Sequence, residues 1–236
     1  MTIRDPFKAP HVSSRRGGPV KAPLSRDVIV AEALRQLTIN GLGGMSLRKV
    51  ALALNTGPAS LYAYVADLTE LYALMLDLAL GNVNLQARKD ASWREQLRSV
   101  LSSYAEVLSA SPGLAQLAFG TIAIGPNALR MTEKLLALLE EGGVDIATGA
   151  WAMDLLMLYV TAIVAERGNG VNPIPPGGAV VQAISNVSEH DFPRIHAARE
   201  QLLSGTGEQR FLWALDVFLS GILQSTSAAS RPCVFP

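Results

Sequence analysis

The stretch from residue 44 to residue 72, GMSLRKVALALNTGPASLYAYVADLTELY, constrains the fold most because it alternates short helical patterns with helix breaks. One helix face is predicted by apolar residues at i, i+3, i+4 and i+7, namely Leu47, Val50, Ala51 and Leu54. Asn55 and Thr56 then interrupt the pattern, because both are poor residues for a helix interior. Pro58 suits the first position of a new helix, where no amide hydrogen is needed. Two short helices joined by a tight turn make a helix-turn-helix candidate.

The ends of these helices also carry recognisable capping residues. Ser46 precedes the first apolar residue and can cap the first helix with its hydroxyl group. Asp67 and Glu70 have capping-box spacing, which predicts a further helix from about Leu68. Upstream, Ser25 can cap a first helix that ends at Asn40-Gly41.

Two cations stand where a helix does not favour them. Arg48 and Lys49 lie in the first turn of their helix, where the positive end of the dipole makes each cation cost about 0.3–1 kcal/mol. A phosphate opposite them would offset that cost, since helix N-termini and cations both bind phosphate. The alternative is that both are ordinary solvated surface charges.

Four consecutive pieces of the chain resemble a known family. LSRDVIVAEALRQLTINGL, MSLRKVALAL, GPASLYAYV and DLTELYALML, between Leu24 and about Leu80, resemble the DNA-binding head of the tetracycline-repressor (TetR) family. The resemblance implies an all-α chain with an N-terminal three-helix helix-turn-helix DNA-binding domain and a C-terminal helical ligand-binding and dimerisation domain. We therefore expect a flexible basic arm at 1–23, the DNA-binding domain at 24–70 and the effector-binding and dimerisation domain at 71–236.

The resemblance also implies which residues contact DNA. It places the recognition helix at about Pro58–Val65, and its contact positions hold Ser46, Arg48, Lys49, Pro58, Ala59, Ser60, Tyr62, Ala63 and Tyr64. We expect Arg48 to read a guanine edge, and Ser60 and Tyr62 to bind phosphate. The alternative for Tyr62 and Tyr64 is packing in the head core. The family often has a lysine near the first turn of the next helix, whereas this chain has Asp67-Leu68-Thr69.

The charge distribution agrees with a polyanion at one end of the chain. The whole sequence has zero net charge, but residues 1–66 carry a net charge of +6 and residues 67–236 a net charge of −6. The proline-rich basic segment 1–23 cannot bury enough apolar surface to order itself. It is predicted either to contact phosphates or the minor groove, or to be an inert tail.

The rest of the chain reads as helices without repeats or alternating strands. The linking helix is predicted from Asp67 to about Lys89. Later helices are predicted at 92–110, 112–119, 126–141, 145–167, 179–189 and 209–225, with a loop at 168–178 and a turn at 191–193. By resemblance, the long helix 145–167 and the last helix 209–225 form a homodimer. Two heads on a twofold axis would then read successive major grooves.

An effector pocket is implied by the resemblance alone. Its candidate residues are Tyr104, Phe119, Met131, Trp151, Asp154, Met157 and Tyr159. Methionine and aromatic residues at helical spacing also form ordinary cores. Asp154 is the informative position, since a carboxylate in an apolar helix needs a polar partner or ligand, a place at the surface, or an ion pair between subunits.

Enzyme chemistry and membrane insertion are poorly supported. His11, His190 and His196 do not share a helix face, Cys233 stands alone near the C-terminus, and we find no metal cluster, phosphate loop or cofactor motif. We therefore expect no catalytic residues, no metal and no cofactor. The longest strongly apolar uncharged run, Leu155–Ala165, is shorter than the ~20 residues that a membrane helix needs. With no apolar stretch behind the basic N-terminus and a single cysteine, a cytoplasmic location is expected.

These observations predict a dimeric repressor that binds a palindromic operator and is released by a small-molecule effector. One alternative keeps the same DNA head in an activator or an effector-independent regulator. A second alternative is a helical ligand-binding protein or enzyme whose head contacts only proteins. The sequence does not identify the operator, the effector or the regulated genes.

Overall fold

The structure, a computed structural model, describes Phe7 and residues 24–87, 90–111, 113–168 and 178–225. Within these residues the chain forms eleven α-helices and one 3-10 turn, and no strand, so the all-α prediction is confirmed. The helices are α1 Arg26–Asn40, α2 Leu47–Ala53, α3 Pro58–Leu61, α4 Leu68–Leu80, α5 Trp93–Ser109, α6 Leu114–Gly120, α7 Pro126–Glu141, α8 Ile146–Gly168, α9 Ala179–Ser185, α10 Pro193–Leu203 and α11 Gly207–Gln224, and the 3-10 turn is Leu42–Gly44.

The first three helices, α1 to α3, form the head of the molecule and enclose a small core. The Ser25 hydroxyl accepts a hydrogen bond from the Val28 amide at 3.2 Å and begins α1, and Gly41 ends it with a φ of +64°. The apolar faces of α1, α2 and α3 meet at buried side chains, which are Ile29, Ala33, Leu37, Val50, Ala51 and Leu61. The apolar spacing of Leu47, Val50 and Ala51 in the sequence therefore predicts the inward face of α2.

Helix α4 continues this core into the remainder of the chain. It packs on α1 at one end and on α7 further along. The prediction that α4 reaches about Lys89 is wrong, because the helix ends at Leu80. The chain turns after Gly81, with the amide of Val83 bonded to the Leu80 carbonyl at 3.0 Å. The amide of Asn84 then bonds to the Ser103 hydroxyl on α5 at 2.9 Å, and this bond fixes the new direction.

Helices α5 to α8 form the main body. α8 packs against α5, α6, α7 and α11, so it lies near the centre of the helical arrangement. A capping box of Ser92 and Glu95 begins α5, close to the predicted start at residue 92. Arg98 on α5 forms an ion pair with Asp216 on α11 and connects the two helices. Leu97, Leu101, Leu108, Leu135 and Leu156 are among the fully buried side chains of this core.

The segment between α8 and α11 differs most from the prediction. α9 ends at Ser185 instead of Glu189, and α10 was not predicted. Pro193, the last residue of the predicted turn at 191–193, takes the first position of α10. Neither helix has a buried residue, so neither contributes an apolar face to the core. The predicted loop at 168–178 lies mostly outside the described residues.

One described helix, α8, is long and apolar enough by length and composition to cross a membrane, over Ile146–Arg167. That span is longer than the eleven-residue run noted in the sequence, because it includes the charged residue Asp154. The central helix of a helical bundle has the same properties. A single helix of this kind is weak support for membrane insertion.

A buried hydrogen bond joins α5 to α8. The Tyr104 hydroxyl lies 2.7 Å from the Thr161 hydroxyl, and both side chains are buried. Burial raises the pKa of the Tyr104 phenol above its ordinary value, although the bond to Thr161 acts in the opposite direction.

We expect Tyr104→Phe to lower the free energy of unfolding by about 1 kcal/mol at neutral pH, because Thr161 loses its partner. The variant should lose less stability above about pH 10, where the unfolded tyrosine releases its proton and the folded one retains it. Urea unfolding of both proteins at neutral and alkaline pH measures this. An identical loss of stability at alkaline pH in the two proteins would contradict the raised pKa of Tyr104.

Candidate nucleic-acid interface and effector region

Helix α2 begins as the sequence predicts. Ser46 is half-buried, and its hydroxyl accepts a hydrogen bond from the Lys49 amide at 3.2 Å. Arg48 and Lys49 are exposed in the first turn, as expected for residues that could meet a phosphate. The Lys49 ammonium group donates to the Gly44 carbonyl at 2.7 Å and so also closes the preceding 3-10 turn.

Arg48 is therefore the less constrained of the two cations. Within the described part of the chain, its guanidinium group has no hydrogen bond or ion pair. Leu52 lies one helical turn further along α2 and is strongly exposed, which the sequence analysis missed. Its i+4 spacing from Arg48 was the available signal, since the two side chains share one helix face. Arg48 and Leu52 together place a cation and an apolar contact on the surface of α2.

The turn between α2 and α3 has a defined geometry. Asn55 has a φ of +51°, in the left-handed region that only a few residue types adopt readily. The Asn55 amide bonds to the Leu52 carbonyl at 3.0 Å, and the Thr56 amide to the Ala51 carbonyl at 2.9 Å. This pair of bonds is a Schellman motif, which satisfies the last carbonyls of α2 and reverses the chain.

Helix α3 presents most of its surface to solvent. Its exposed residues and those of the following turn are Pro58, Ala59, Ser60, Tyr62 and Ala63. Leu61 is fully buried and fixes the helix on the head core, whereas Tyr62 is 55% exposed. The structure therefore excludes the alternative that Tyr62 packs in the head core. The five exposed residues form one small polar and apolar surface beside α2.

Two predictions about α3 need correction. The helix ends at Leu61 instead of Val65, and residues 62–64 form turns in which the Tyr64 and Val65 amides bond to the Leu61 carbonyl. Tyr64 is only 7% exposed and belongs to the head core. It packs inward because the turn after Leu61 directs Tyr64 and Val65 to the same side as the core. Tyr64 is therefore removed from the proposed contact surface.

A side chain of α1 holds this turn against the start of α4. The Arg26 guanidinium group donates two hydrogen bonds to the Tyr64 carbonyl, at 3.3 and 3.2 Å. It also lies 3.9 Å from the Glu70 carboxylate, which accepts a bond from the Ala66 amide at 2.8 Å. The orientation of α3 therefore depends on α1 and α4 together.

The seven effector candidates are not brought together. Tyr104 and Met131 are buried, Met157 and Tyr159 are half-buried against the core, and Phe119, Trp151 and Asp154 are exposed. Tyr159 stacks near Phe211 and meets the edge of Phe218, with ring centroids 6.0 and 5.0 Å apart, which is ordinary packing between α8 and α11. Only part of the predicted set faces the interior of this chain.

Other residues line a hollow of about 220 Å³ in the body, between the end of α5, the start of α6 and the end of α8. Its walls include Leu108, Gln116, Val164 and Arg167. A second hollow of about 340 Å³ lies where α1 meets the body, between Leu34 and Leu114. The Thr38 and Ser111 hydroxyls lie 2.6 Å apart across the same junction.

Two helices expose apolar faces that nothing in the described chain covers. On α8, Trp151, Leu155 and Leu158 are exposed at helical spacing, opposite the buried stripe of the same helix. On α11, Trp213 and Val217 are exposed in the same way. Large apolar surfaces of this kind mark interaction sites. These are the two helices from which the sequence predicts a dimer.

A comparison with family models finds the "Tetracyclin repressor-like, C-terminal domain" over residues 86–226, more than half of the chain. The chain belongs to the TetR family. The family resemblance of the N-terminal residues is thereby confirmed independently by the C-terminal ones.

The described residues contain no group of three or more potential metal ligands.

Two relatives named as HTH-type regulators support the same assignment. The chain is 33% identical over 146 residues to an HTH-type transcriptional regulator of Saccharopolyspora erythraea, and this similarity covers 60% of the chain and 62% of that protein. It is 29% identical over 216 residues to the HTH-type transcriptional repressor DrrR1 of Streptomyces coeruleorubidus, covering 85% and 80% of the two chains. The relatives are transcriptional regulators rather than enzymes.

The fold also matches a solved TetR-family structure. ActR of Streptomyces coelicolor, in complex with (S)-DNPA, is 30% identical, with a TM-score of 0.78, and the similarity covers 86% of this chain and 98% of ActR. ActR has also been solved in complex with actinorhodin. The N-terminal helix-turn-helix and the C-terminal helical part of this chain match that architecture.

The turn geometry predicts how the head responds to substitution at Asn55. Asn55→Val should lower the free energy of unfolding by about 1–2 kcal/mol, because a β-branched residue is strained in the left-handed region. Asn55→Gly is the matched control and should be nearly neutral, since glycine adopts this conformation without a Cβ clash. Urea denaturation measures the stability of both variants. Equal stabilities would contradict the left-handed conformation of Asn55.

Proposed function

We propose that this TetR-family protein is a dimeric transcriptional repressor that binds a palindromic operator through α2 and α3 and leaves it when a small molecule binds the helical body. The observation that carries the proposal is the exposed surface of α3 beside Arg48, whose guanidinium group has no partner among the described residues. We further propose a cytoplasmic location, as for a regulator that must reach DNA.

The contacts follow from the chemistry of that surface. Arg48 reads a guanine edge, because its planar fork matches the two acceptors of guanine in the major groove. Ser60 and Tyr62 donate hydroxyl hydrogen bonds to phosphates and so position the helix without reading bases. Ala59 and Ala63 supply apolar contacts to thymine methyl groups. Ser46, Lys49 and Pro58 lie at the edge of this surface. Apart from Phe7, the basic arm at 1–23 lies outside the described residues and stays a prediction.

We place the effector in the body at the 220 Å³ hollow, whose lining residues Leu108 and Val164 lie about one helical turn beyond Tyr104 and Thr161. Ligand pockets usually measure about 300–1,000 Å³, so a ligand that enters here must displace α6 or α8. The start of α6 touches the head, because an added Cβ at Gly113 would lie 3.1 Å from both Leu37 Cδ1 and the Leu42 amide nitrogen. Displacement of α6 therefore favours one head position over another, as release requires. The ligand complexes of ActR support a small organic effector.

A selected duplex tests the DNA-binding proposal directly. Selection from a random duplex pool with the purified protein should enrich an inverted repeat, and binding should weaken steeply as salt rises. Arg48→Ala should cost about 1–3 kcal/mol on that duplex and relax one base position in each half-site. Arg194→Ala, which removes an exposed arginine from α10, is the control and should bind as the wild type does. Failure to enrich any repeat would overturn the proposal.

The dimer proposal rests on the exposed apolar faces of α8 and α11. Trp213→Glu places a charge on α11 at a side chain that is 69% exposed in the single chain, and it should convert a dimer to a monomer. Ile39→Glu is the control, because Ile39 is 62% exposed on α1, away from both helices. Sedimentation velocity at micromolar concentration distinguishes these outcomes. A wild type that is monomeric even with the selected duplex would contradict the dimer.

A further inference from the structure

A buried carboxylate connects α4 to α7. Asp77 lies in the apolar C-terminal half of α4 and is only 7% exposed. A carboxylate in such a place must have its oxygens satisfied by donors, since burial of an unpaired charge costs several kcal/mol. The nearest donors are not on its own helix but at the first turn of α7, about fifty residues later in the chain.

Both oxygens of Asp77 are satisfied there. Oδ1 accepts hydrogen bonds from the backbone amides of Asn127 at 2.9 Å and Ala128 at 3.0 Å. Oδ2 accepts a bond from the Asn127 side-chain amide at 3.2 Å, and the same amide group donates to the Asp77 carbonyl at 2.9 Å. Four directional bonds therefore join one residue of α4 to two residues of α7.

Helix α7 has no cap of its own. Its N-cap residue is Gly125, which has no side chain, and Pro126 at the first position has no amide hydrogen. The backbone amides at the next two positions have no acceptor within the helix, and they would ordinarily need a Ser, Thr, Asp or Asn just before it. Asp77 caps α7 from a different helix, α4, and its negative charge is also favoured at the positive end of the α7 dipole.

The two helices meet too closely for a side chain between them. A Cβ added at Gly125 would lie 2.2–2.6 Å from side-chain atoms of Asp77. A Cβ added at Gly81, at the end of α4, would lie 3.2 Å from the Asn127 amide nitrogen. The junction therefore has a defined register, which apolar packing alone does not impose because the hydrophobic effect is not directional.

We propose that Asp77 is a positioning residue that makes α4 and the first turn of α7 move together, so that the head follows the body. The head is attached to the other end of α4, where α1 packs against it and Arg26 approaches Glu70. Movement of α7 in the body then reaches the head through a junction of hydrogen bonds. This inference rests on the proposed function, because it names the residue through which the body controls the head.

The variant Asp77→Asn tests this proposal in the full-length protein. Asparagine keeps the shape of the side chain, but its NH2 group replaces an oxygen that accepts hydrogen bonds from α7. Spin labels at Ala31→Cys on α1 and Ala137→Cys on α7, in a Cys233→Ser background, report the distance from head to body. Labelled chains are mixed with excess unlabelled protein, so that only distances within one chain are read. We expect a broader distance distribution in Asp77→Asn, and about tenfold weaker binding to the selected duplex.

Asp145→Ala is the control, because alanine removes a helix cap that asparagine would preserve. Asp145 also accepts amide hydrogen bonds at a helix start, from Ala147 at 3.2 Å and Thr148 at 3.1 Å, but it caps its own helix α8. Its loss should lower stability without broadening the distance from head to body. Equal broadening in both variants would overturn the proposal, because a general loss of stability would then explain it.

Asn127→Ala covers the case in which Asp77→Asn does not fold. It removes the side-chain amide and leaves the two backbone bonds, so it should broaden the distribution less. An unchanged distribution in the folded variants would overturn the proposal. A wild type that binds no selected duplex would instead contradict the proposed function, while the distance measurement would still decide the role of Asp77.

Discussion

A helix of four residues cannot stay folded on its own hydrogen bonds, and α3 has only four, Pro58–Leu61. Its position comes from what lies beneath it. Leu61 and Val65 are fully buried in the head core, and the Tyr64 carbonyl accepts two hydrogen bonds from Arg26 on α1. The exposed residues of α3 are therefore held by packing and by one guanidinium group. Any surface that reads DNA here is only as rigid as the head core.

The head in turn is attached to the body at two short junctions. One is α4, which is fixed to α7 by the bonds of Asp77. The other is the start of α6, where Gly113 meets Leu37 and Leu42, and where the Thr38 and Ser111 hydroxyls lie 2.6 Å apart. A ligand changes DNA binding only if it favours one head position over another. Two directional junctions of this kind give the body a physical means to favour one position.

The apolar surfaces that remain exposed are consistent with assembly. The stripe of Trp151, Leu155 and Leu158 faces away from the core that α8 shares with its neighbours. This explains why α8 has apolar residues on opposite sides, a pattern that by itself also describes a membrane helix. Helices α9 and α10 have no buried residues and make contact chiefly with each other. In the single chain they contribute little to the core.

The sequence by itself determined the helical class, the inward face of α2 and most helix starts, because capping residues and apolar spacing act over one or two turns. It predicted the position of the helix-turn-helix and its exposed cation Arg48 for the same reason. Tertiary structure alone decided that Tyr64 packs inward, that α4 ends at Leu80 and that Trp151 and Asp154 face solvent. It alone decided that Asp77 caps α7, because its donors come from a helix about fifty residues away. Contacts between distant residues leave no local period in the sequence, so only the packed chain reveals them.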